Sequence, residues 1–387
     1  MKFLHISDLH IGKYLGETSL LEDQKYFLEK LCDLAKEKEC SAVVIAGDIY
    51  QRSVPSSDAI LVFEEFLDRL INRMQISVIM ISGNHDSPER IGFGSSLFDS
   101  SRLAIAGRFT PKISRVTFSD EFGDINFFML PYLEPHTVGS VLKDKSIQTY
   151  NDAYKTVMSL DINLPDKNSR NVILAHGYFA RSGRENESVF SESERSIGGS
   201  DCVDVAVFDR FDYGAFGHLH APQRAGGEFM RYSGSMLKYS LSESTQNKSV
   251  CFVEMREKGN IILEQIEIKP LRDVRILSGY LDDILESNRL AGENFDDYIF
   301  AELHDEHVFD AMSRLRGIFP NMIGLRFKQS IGEDIFVPKG MEETSKIEPL
   351  DLFRSFYTAI TGEDITDSRT EIAKNIMEEI ESGDFKK

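Results

Sequence analysis

The chain has 387 residues, of which 41% are hydrophobic and 28% charged, and this supplies a sizeable core and more than one domain. Its formal net charge of -19 argues against a protein that coats nucleic acid through a strong global field, because phosphate binding relies on lysine and arginine. The four cysteines are scattered singly, so we expect no disulfides and a reduced cytoplasmic location. No apolar run reaches the length of a membrane span, and Asp8 and His10 interrupt any signal sequence, so we expect a soluble protein without a membrane segment.

Short strands alternating with amphipathic helices are predicted from the start of the chain to about residue 270. The strand candidates are apolar or β-branched runs that end in polar, glycine-containing turns. They are Phe3 to Ile6, Ala42 to Ala46, Val78 to Ile81, Val172 to Ala175 and Gly214 to Phe216. Between the first three runs, apolar residues recur at helical spacing, from Leu21 to Leu34 and from Ile60 to Ile71. This alternation predicts a layered α/β core.

Around Pro270 the pattern changes to a smaller α+β unit, followed by a helical tail. Strands are predicted near Val274 to Tyr280, Tyr298 to Leu303 and Ile323 to Phe327, with helices from Asp282 and near Val308 to Arg316. A polar stretch from Gly340 to Lys346 leads to two amphipathic helices in the tail. Their apolar stripes comprise Leu350, Leu352, Phe353, Phe356, Tyr357 and Ile360, and then Ile372, Ile376, Met377 and Ile380. We therefore predict three parts, residues 1–270, 271–332 and 333–387.

Polar clusters lie at the ends of the five predicted strands of the first part. They are Asp8 with His10, Gly47 with Asp48, Gly83 through Asp86, then His176, and Gly217 through His220. Each alone has an ordinary explanation, since an aspartate after a strand is commonly a turn or helix cap, and a single histidine is commonly a satisfied polar group. Together, at the strand ends where ligand sites of α/β sheets assemble, they predict a metal site.

The side chains in these clusters are carboxylates, imidazoles and an amide, and none is a cysteine. Such a donor set suits Mn, Fe, Zn or Mg in a hydrolytic role. Alternation along an extended segment would point Asp8 and His10 to one side, and it would do the same for His218 and His220. The neighbouring glycines would let the backbone turn tightly and approach an ion or a phosphate.

The five clusters resemble the motifs of the calcineurin-like metallophosphoesterase superfamily, D-x-H, G-D, G-N-H-D, H and G-H-x-H. The resemblance implies a four-layer β-sandwich flanked by helices, and two divalent ions, in the first place Mn²⁺ with Mg²⁺ as the alternative. It implies that Asp8, His10, Asp48 and His220 hold one ion, and that Asp48, Asn84, His176 and His218 hold the other. His85 resembles the histidine that contacts the scissile phosphate and assists departure of the leaving group. Asp86 could help to hold His85 or could cap the helix that follows.

Longer stretches of the sequence resemble the SbcD family of bacterial DNA nuclease subunits. They are Gly47 to Ala59, Ser191 to Asp204, Phe211 to Gln223 and Tyr232 to Tyr239, and the region after Pro270 resembles that family's capping domain. The resemblance implies a manganese-dependent 3′-to-5′ exonuclease and single-strand or hairpin endonuclease in DNA repair, recombination and replication. It also implies a homodimer, and binding of the tail helices to SbcC, a coiled-coil ATPase subunit. Gln51 departs from the pattern, since the family carries an acidic residue or a histidine there, and a glutamine can hydrogen-bond but cannot transfer a proton.

Two other functions stay open from the sequence. The first is an enzyme for a small phosphoester, which the acidic net charge favours and the nuclease-like stretches oppose. The second is a scaffold without catalysis that regulates an ATPase partner, which the intact ligand set opposes. Basic residues of the second part could contact the DNA backbone or could form an ordinary solvated face. They are Arg272, Arg275, Arg314, Arg316, Arg326 and Lys328.

Overall fold

Twelve strands of the first part pair into two six-stranded β-sheets, and four short strands form two separate two-stranded sheets. A computed structural model describes residues 1–98, 102–183, 188–191, 194, 201–290, 295–306, 308–328, 350, 353–354, 357, 365–366 and 369–374. The strands are β1 (Lys2–Ile6), β2 (Tyr14–Leu15), β3 (Thr18–Ser19), β4 (Ala42–Ala46), β5 (Ser77–Ile81), β6 (Leu103–Ala106), β7 (Ser114–Asp120), β8 (Gly123–Met129), β9 (Arg170–His176), β10 (Phe179–Ala180), β11 (Val203–Asp204), β12 (Tyr213–Gly217), β13 (Gln223–Arg224), β14 (Met230–Tyr232), β15 (Ser249–Met255) and β16 (Ile261–Glu267). The helices are α1 (Leu21–Glu37), α2 (Ser57–Asp68), α3 (Pro88–Ile91), α4 (Pro135–Leu142) and α5 (Tyr150–Ser159).

Four neighbouring parallel strands form the larger part of each sheet. The first sheet has the order β16-β15-β1-β4-β5-β6, in which β1, β4, β5 and β6 run parallel. The second has the order β13-β14-β12-β9-β8-β7, in which β14, β12, β9 and β8 run parallel. Every residue of β4 and of β9 is buried, as expected for parallel strands that are covered on both faces.

The two sheets pack face to face, and helices cover their outer faces. Along β4, Val44 belongs to the core between the sheets, whereas Val43 and Ile45 belong to the core beneath α1 and α2. Successive side chains of a strand point to opposite faces, so one short run serves both cores. On the other side, α5 covers the second sheet with Tyr154 and Val157. The layers therefore run helix, sheet, sheet, helix, which confirms the predicted fold class.

A smaller three-stranded sheet follows the sandwich. Its strands are β17 (Val274–Gly279), β18 (Tyr298–Leu303) and β19 (Met322–Phe327), and its helices are α6 (Leu281–Leu290) and α7 (Ala311–Arg316). The strands are all parallel, and they enclose a core of their own with Leu303, Leu315 and Phe319. The sheet belongs to the same compact unit as the sandwich, Met1–Lys328. The predicted boundaries at residues 270 and 332 therefore stay predictions.

The tail belongs to a second unit, Gln329–Lys387, of which a few residues are described. Phe353 and Tyr357 are helical, as are residues 369–374. Within this unit the Arg369 guanidinium donates a hydrogen bond to the Tyr357 hydroxyl, and Ile372 is exposed. The other residues of the two predicted stripes, apart from Leu350, lie outside the described residues. Among the helices that are described, none is both long and apolar enough to cross a membrane.

Candidate metal centre

Three strands of the first sheet deliver polar side chains to one edge of that sheet. Asp8 and His10 follow β1, Asp48 follows β4, and Asn84 and His85 follow β5. Because these strands are parallel neighbours, their carboxyl ends lie side by side. Asp8, His10 and Asp48 are buried, so a site at this edge is largely shielded from water.

The second sheet contributes histidines to the same place. His176 is the last residue of β9, and His218 and His220 follow β12. The backbone N–H of His218 donates to both carboxylate oxygens of Asp8, at 2.9 and 3.1 Å. The His176 Nδ1 atom lies 2.8 Å from the carbonyl oxygen of Ala46, at the end of β4. The two sheets are therefore tied together at the edge where the clusters meet.

The backbone at these residues is left-handed. Asp8, His10, Asp48 and His218 have φ angles of 53°, 44°, 52° and 108°, which non-glycine residues rarely adopt. The predicted extended alternation is therefore wrong for both D-x-H and H-x-H. Asp8 and His10 do come together, but through two left-handed residues, whereas His218 and His220 face different parts of the site. Such strain at a cluster of polar side chains is typical of functional sites.

One group of potential ligand atoms consists of Asp8, His10 and His220. One atom from each lies within 4.8 Å of the others. The Nε2 atoms of His10 and His220 are 3.1 Å apart, and the buried Nδ1 of His10 has no hydrogen-bond partner within the described part of the chain. Two nitrogens that bind one ion at roughly 2.0–2.1 Å are separated by about 3 Å. The residues present thus fit a divalent cation.

A second group lies around Asp48. Its Oδ2 atom is 3.4 Å from His176 Nε2 and 3.7 Å from His10 Nε2, between the two groups. The Asn84 Oδ1 atom is 2.9 Å from His176 Nε2 and 3.2 Å from His218 Nδ1. Asp8 also lies close enough to join Asp48 and His176. The seven predicted ligands are therefore all brought together, with Asp48 in the middle.

Burial and neighbouring charges shift the protonation of these groups in opposite directions. Burial lowers the pKa of His10 well below its ordinary value, which favours the neutral ring that a ligand requires. Burial alone would also lower the pKa of His176, but the Asp48 carboxylate outweighs it and raises the pKa to about 9. The pKa of Asp48 is lowered in spite of burial, because His176 and His10 surround it. The Asp48 carboxylate thus favours positive charge at His176, and a bound cation would also provide positive charge at this position.

His85 stands beside this centre and is held by the backbone. Its ring packs edge-on against His10, with 4.8 Å between the ring centroids, and its Nδ1 lies 3.1 Å from the carbonyl oxygen of Gln51. Its own N–H donates to Asp48 Oδ1 at 2.8 Å. Gln51 therefore contacts His85 through its main chain, whatever its side chain does.

The predicted role of Asp86 as the cap of the following helix is wrong, and the prediction that it helps to hold His85 stays a prediction. Its carboxylate accepts hydrogen bonds from the backbone N–H groups of Ile49, Tyr50 and Gly83, at 2.9–3.1 Å. Ser87, not Asp86, caps α3. Burial and the charge of Asp48 raise the pKa of Asp86 to about 6. Its carboxylate therefore ties the loop after β4 to the loop after β5.

Gly83 shows why the clusters need small residues. A Cβ atom on Gly83 would lie 2.1 Å from Asp48 Oδ1, and one on Gly47 would lie 2.5 Å from His176 Nδ1. Gly47 also has a φ of +89°. The glycines thus admit site side chains to positions next to the backbone, and the predicted approach to an ion or a phosphate stays a prediction.

Sequence reasoning missed a set of buried groups behind His220. The Glu243 carboxylate lies 3.1 Å from His220 Nδ1, and Lys248 lies 2.6 Å from the other Glu243 oxygen. Glu194 accepts a hydrogen bond from the His220 backbone N–H. Although Glu194 falls in a stretch that carried the family resemblance, none of the three follows one of the predicted strands. A glutamate in a polar stretch of sequence does not by itself indicate a functional residue.

The centre opens into a cavity of about 200 Å³, and its other walls were also missed. Tyr132 and Tyr150 line it, and the Tyr132 hydroxyl donates to that of Tyr150 at 2.7 Å. Lys13 also lines the cavity, with its ammonium over the ring of Tyr239. Burial lowers the pKa of Lys13. The described lining of the cavity thus combines the polar centre with aromatic surface and the Lys13 ammonium.

Most of the basic residues singled out in the smaller sheet have acidic partners. Arg275 pairs with Asp297 at 2.8 Å, Arg314 pairs with Asp282 at 2.6 Å, and Arg326 pairs with Glu302. Arg272 pairs with Glu22 at the start of α1. These contacts favour the solvated-face interpretation for those four.

Comparison with known proteins gives two family matches that together cover most of the chain. Residues 1–222 match the calcineurin-like phosphoesterase family, and residues 270–361 match a family described as the type 5 capsule protein repressor C-terminal domain. The chain is 34% identical over 380 residues to the SbcD subunit of nuclease SbcCD from Staphylococcus saprophyticus, which covers 97% of this chain and 98% of that protein.

The solved structures that match are more distant. A Thermus thermophilus protein matches with a TM-score of 0.40 and 13% identity, over 68% of this chain and 98% of its own. A dimetal phosphatase from Danio rerio matches with a TM-score of 0.38 and 12% identity, over 70% of this chain and 98% of its own. Likeness at this level supports no functional inference.

Proposed function

Because the chain belongs to the calcineurin-like phosphoesterases and, within them, to the SbcD family of nuclease subunits, we propose that it is the DNA nuclease of an SbcCD-type complex. The observation that carries the proposal is the convergence of two carboxylates, four imidazoles and an amide where strand ends of the two sheets meet. The finer activities are 3′-to-5′ exonuclease and single-strand or hairpin endonuclease, in repair, recombination and replication.

The proposed centre holds two divalent ions. The first would be bound by Asp8, His10, Asp48 and His220, and the second by Asp48, Asn84, His176 and His218. The support is the 3.1 Å approach of His10 to His220 and the placement of Asp48 Oδ2 between His10 and His176. Mixed oxygen and nitrogen donors suit Mn²⁺, with Mg²⁺ as the alternative.

When bound, such a pair of ions activates water and offsets the charge that develops on the phosphoryl oxygens. His85 is proposed to act on the leaving group. Its Nδ1 faces the carbonyl oxygen of Gln51, so a protonated ring keeps one N–H there and can give the proton at Nε2 to the leaving oxygen. Asp48 holds the backbone of His85 and thereby keeps the acid next to the centre.

The proposed partners are DNA, a second copy of the chain and a coiled-coil ATPase of the SbcC type. The ATPase would bind the tail helices, where Ile372 is exposed. The name of the Staphylococcus saprophyticus relative supports a complex of this type. The cytoplasmic location expected from the sequence belongs to the same proposal.

A small phosphodiester is the second candidate substrate. The observation that favours it is the pairing of four arginines of the smaller sheet with acidic residues, which leaves fewer cations for a DNA backbone.

One assay separates the candidates. Purified protein with Mn²⁺ is tested against double-stranded ends, DNA hairpins and bis-p-nitrophenyl phosphate. We expect cleavage of all three, with Asp48→Ala inactive on each as the control for a contaminating nuclease. Hydrolysis of the small ester with intact DNA would reject the nuclease, and inactivity on all three at full Mn²⁺ occupancy would favour a scaffold.

A further inference from the structure

Glu243 is buried against the side of His220 that faces away from the proposed ions. It ends a short 3₁₀ turn, Leu241–Glu243, and its side chain has no exposed surface. Its Oε1 atom lies 3.1 Å from His220 Nδ1. The other ring nitrogen, Nε2, is the one that lies 3.1 Å from His10 Nε2. Glu243 and the centre therefore contact opposite nitrogens of one imidazole.

Other groups fix the Glu243 carboxylate in this position. The Lys248 ammonium donates to its Oε2 at 2.6 Å, the Ser240 hydroxyl donates to its Oε1 at 3.1 Å, and the Tyr239 backbone N–H donates to its Oε2 at 3.2 Å. With both oxygens occupied by donors, the carboxylate cannot rotate without losing a hydrogen bond.

Lys248 also fixes the main chain of His220. Its ammonium donates to the His220 carbonyl oxygen at 2.9 Å and to the Ser235 hydroxyl at 2.9 Å. The Ser235 backbone N–H donates to the same His220 carbonyl at 3.0 Å. One buried cation thus holds both the carboxylate that contacts the His220 ring and the backbone that carries the ring.

The protonation chemistry of imidazole explains how Glu243 can affect metal binding by His220. A neutral ring has one N–H and one lone pair, so a hydrogen bond at one nitrogen decides which nitrogen can act as a ligand. A carboxylate only accepts, so it requires the proton on Nδ1. The lone pair then stands on Nε2, next to Asp8 and His10. A carboxylate behind a histidine ligand orients the ring and increases its basicity.

We infer that Glu243 is the positioning residue of the first proposed metal site, and that Lys248 holds it there. The inference rests on the proposed function only in that it takes His220 as a ligand. It concerns binding of the ion and not the later steps of cleavage.

A buried ion pair could instead serve the fold alone, since removal of one partner of such a pair is strongly destabilising wherever it lies. Both interpretations predict a lower melting temperature when Glu243 is changed. Only the positioning role predicts a change in the affinity for the ion. Metal binding, measured apart from catalysis, therefore distinguishes them.

Two variants test the role. Glu243→Gln keeps the size of the side chain but offers an amide, whose oxygen the Lys248 ammonium attracts, so that the NH₂ group turns toward His220 Nδ1. Glu243→Asp keeps the charge but is too short by one methylene to reach both Lys248 and His220. The matched control is Asp297→Asn, which removes a buried carboxylate paired with Arg275 in the smaller sheet.

Each protein is stripped of metal and titrated with Mn²⁺ by calorimetry, and its melting temperature is recorded with and without Mn²⁺. We expect the native chain and Asp297→Asn to bind two ions. In both Glu243 variants one of the two ions should bind about 10–100-fold more weakly. The rise in melting temperature on adding Mn²⁺ should shrink accordingly.

Two ions bound with native affinity in both Glu243 variants would overturn the inference, even if the proteins melt at a lower temperature. The failure of the proposed function looks different, since the native chain would then bind two ions and leave DNA intact. A native chain that binds no Mn²⁺ would overturn both.

Discussion

Replacement of Gly83 by alanine should damage the centre by moving Asp48. The added Cβ would lie 2.1 Å from Asp48 Oδ1 and 2.4 Å from the Asp48 backbone nitrogen. Real Cβ contacts essentially never fall below 3.0 Å, so the carboxylate oxygen has to move by about 0.9 Å, the difference between 3.0 and 2.1. The second contact is to backbone, which cannot rotate away as a side chain can. The loop after β4 must therefore shift with the carboxylate.

The expected loss follows from that displacement. A misplacement of about 1 Å at a reacting centre can cost on the order of 100-fold in rate. Because Asp48 is proposed to bind both ions, the occupancy of both should fall as well. Overpacking of this kind typically costs about 1–3 kcal/mol of stability. We would measure Mn²⁺ content by mass spectrometry, hydrolysis of bis-p-nitrophenyl phosphate and thermal unfolding of the same preparation.

Two further glycines provide controls. Gly227→Ala adds a Cβ whose nearest neighbour is 3.8 Å away, so the variant should match the native chain in all three measurements. Gly324→Ala brings a Cβ to 2.8 Å from the Phe300 ring in the smaller sheet, and should lose stability but keep both ions. The reasoning is refuted if Gly83→Ala binds two ions and turns over at the native rate.

Four other outcomes are expected. Asp48→Ala should lose both ions and all hydrolysis, whereas His85→Gln should keep the ions and lose about two to four decades of rate, seen in metal content and kinetics. Mn²⁺ should support faster turnover than Ca²⁺ at matched occupancy, because Ca²⁺ prefers more oxygen ligands. Asp120→Asn should lower the melting temperature at neutral pH, because it removes a carboxylate that stabilises the folded chain. Burial alone would raise the pKa of Asp120, but hydrogen bonds from Arg170 lower it. This stabilisation is present above the ordinary pKa of about 3.9 and is lost as the pH falls below it, so the difference from the native chain should vanish in acid. Deletion of residues 341–387 should spare Mn²⁺-dependent cleavage of simple substrates and abolish co-purification with the ATPase and any ATP-stimulated activity on duplex ends.

Each of these has an outcome that contradicts it. A near-native rate in His85→Gln would remove that histidine from the leaving-group step, and equal turnover with Ca²⁺ would mean that a ligand is misassigned. A pH-independent difference for Asp120→Asn would exclude its charge as the cause. Aggregation of the truncated chain, or loss of its thermal transition, would assign the tail stripes to the protein's own core.

Much of the parallel core could be predicted from the sequence because its strands are buried on both faces. The run Ala42 to Ala46 is continuous apolar sequence, and the structure gives a strand with the same bounds. Interior strands were missed as well, among them β8 and β15, which are largely buried. Two other missed strands are of another kind. β7 and β16 lie at sheet edges, where alternate or neighbouring side chains meet water and the apolar signal is weak.

The candidate site was predictable to the extent that its residues follow strands. Asp48 and Asn84 lie within three residues of the ends of apolar runs, which marked their clusters as candidates, and the resemblance to the metallophosphoesterase motifs implied that they are ligands. The backbone conformations that orient the site side chains could not be predicted in the same way. Nothing in the D-x-H pattern indicates that Asp8 and His10 adopt left-handed backbone conformations. Asp86 was misread for a related reason, because the backbone groups that it binds include two residues of another loop.

The sequence by itself determined which side chains stand at the ends of which strands, because strand burial and turn chemistry are written locally along the chain. The resemblance assigned His10 and His220, 210 residues apart, to one ion, but the tertiary structure alone decided that their Nε2 atoms face each other and that Glu243 and Lys248 lie behind His220. These contacts depend on how two sheets pack against each other. That packing is set by the shapes of the cores between and around them, and no local pattern of residues specifies it.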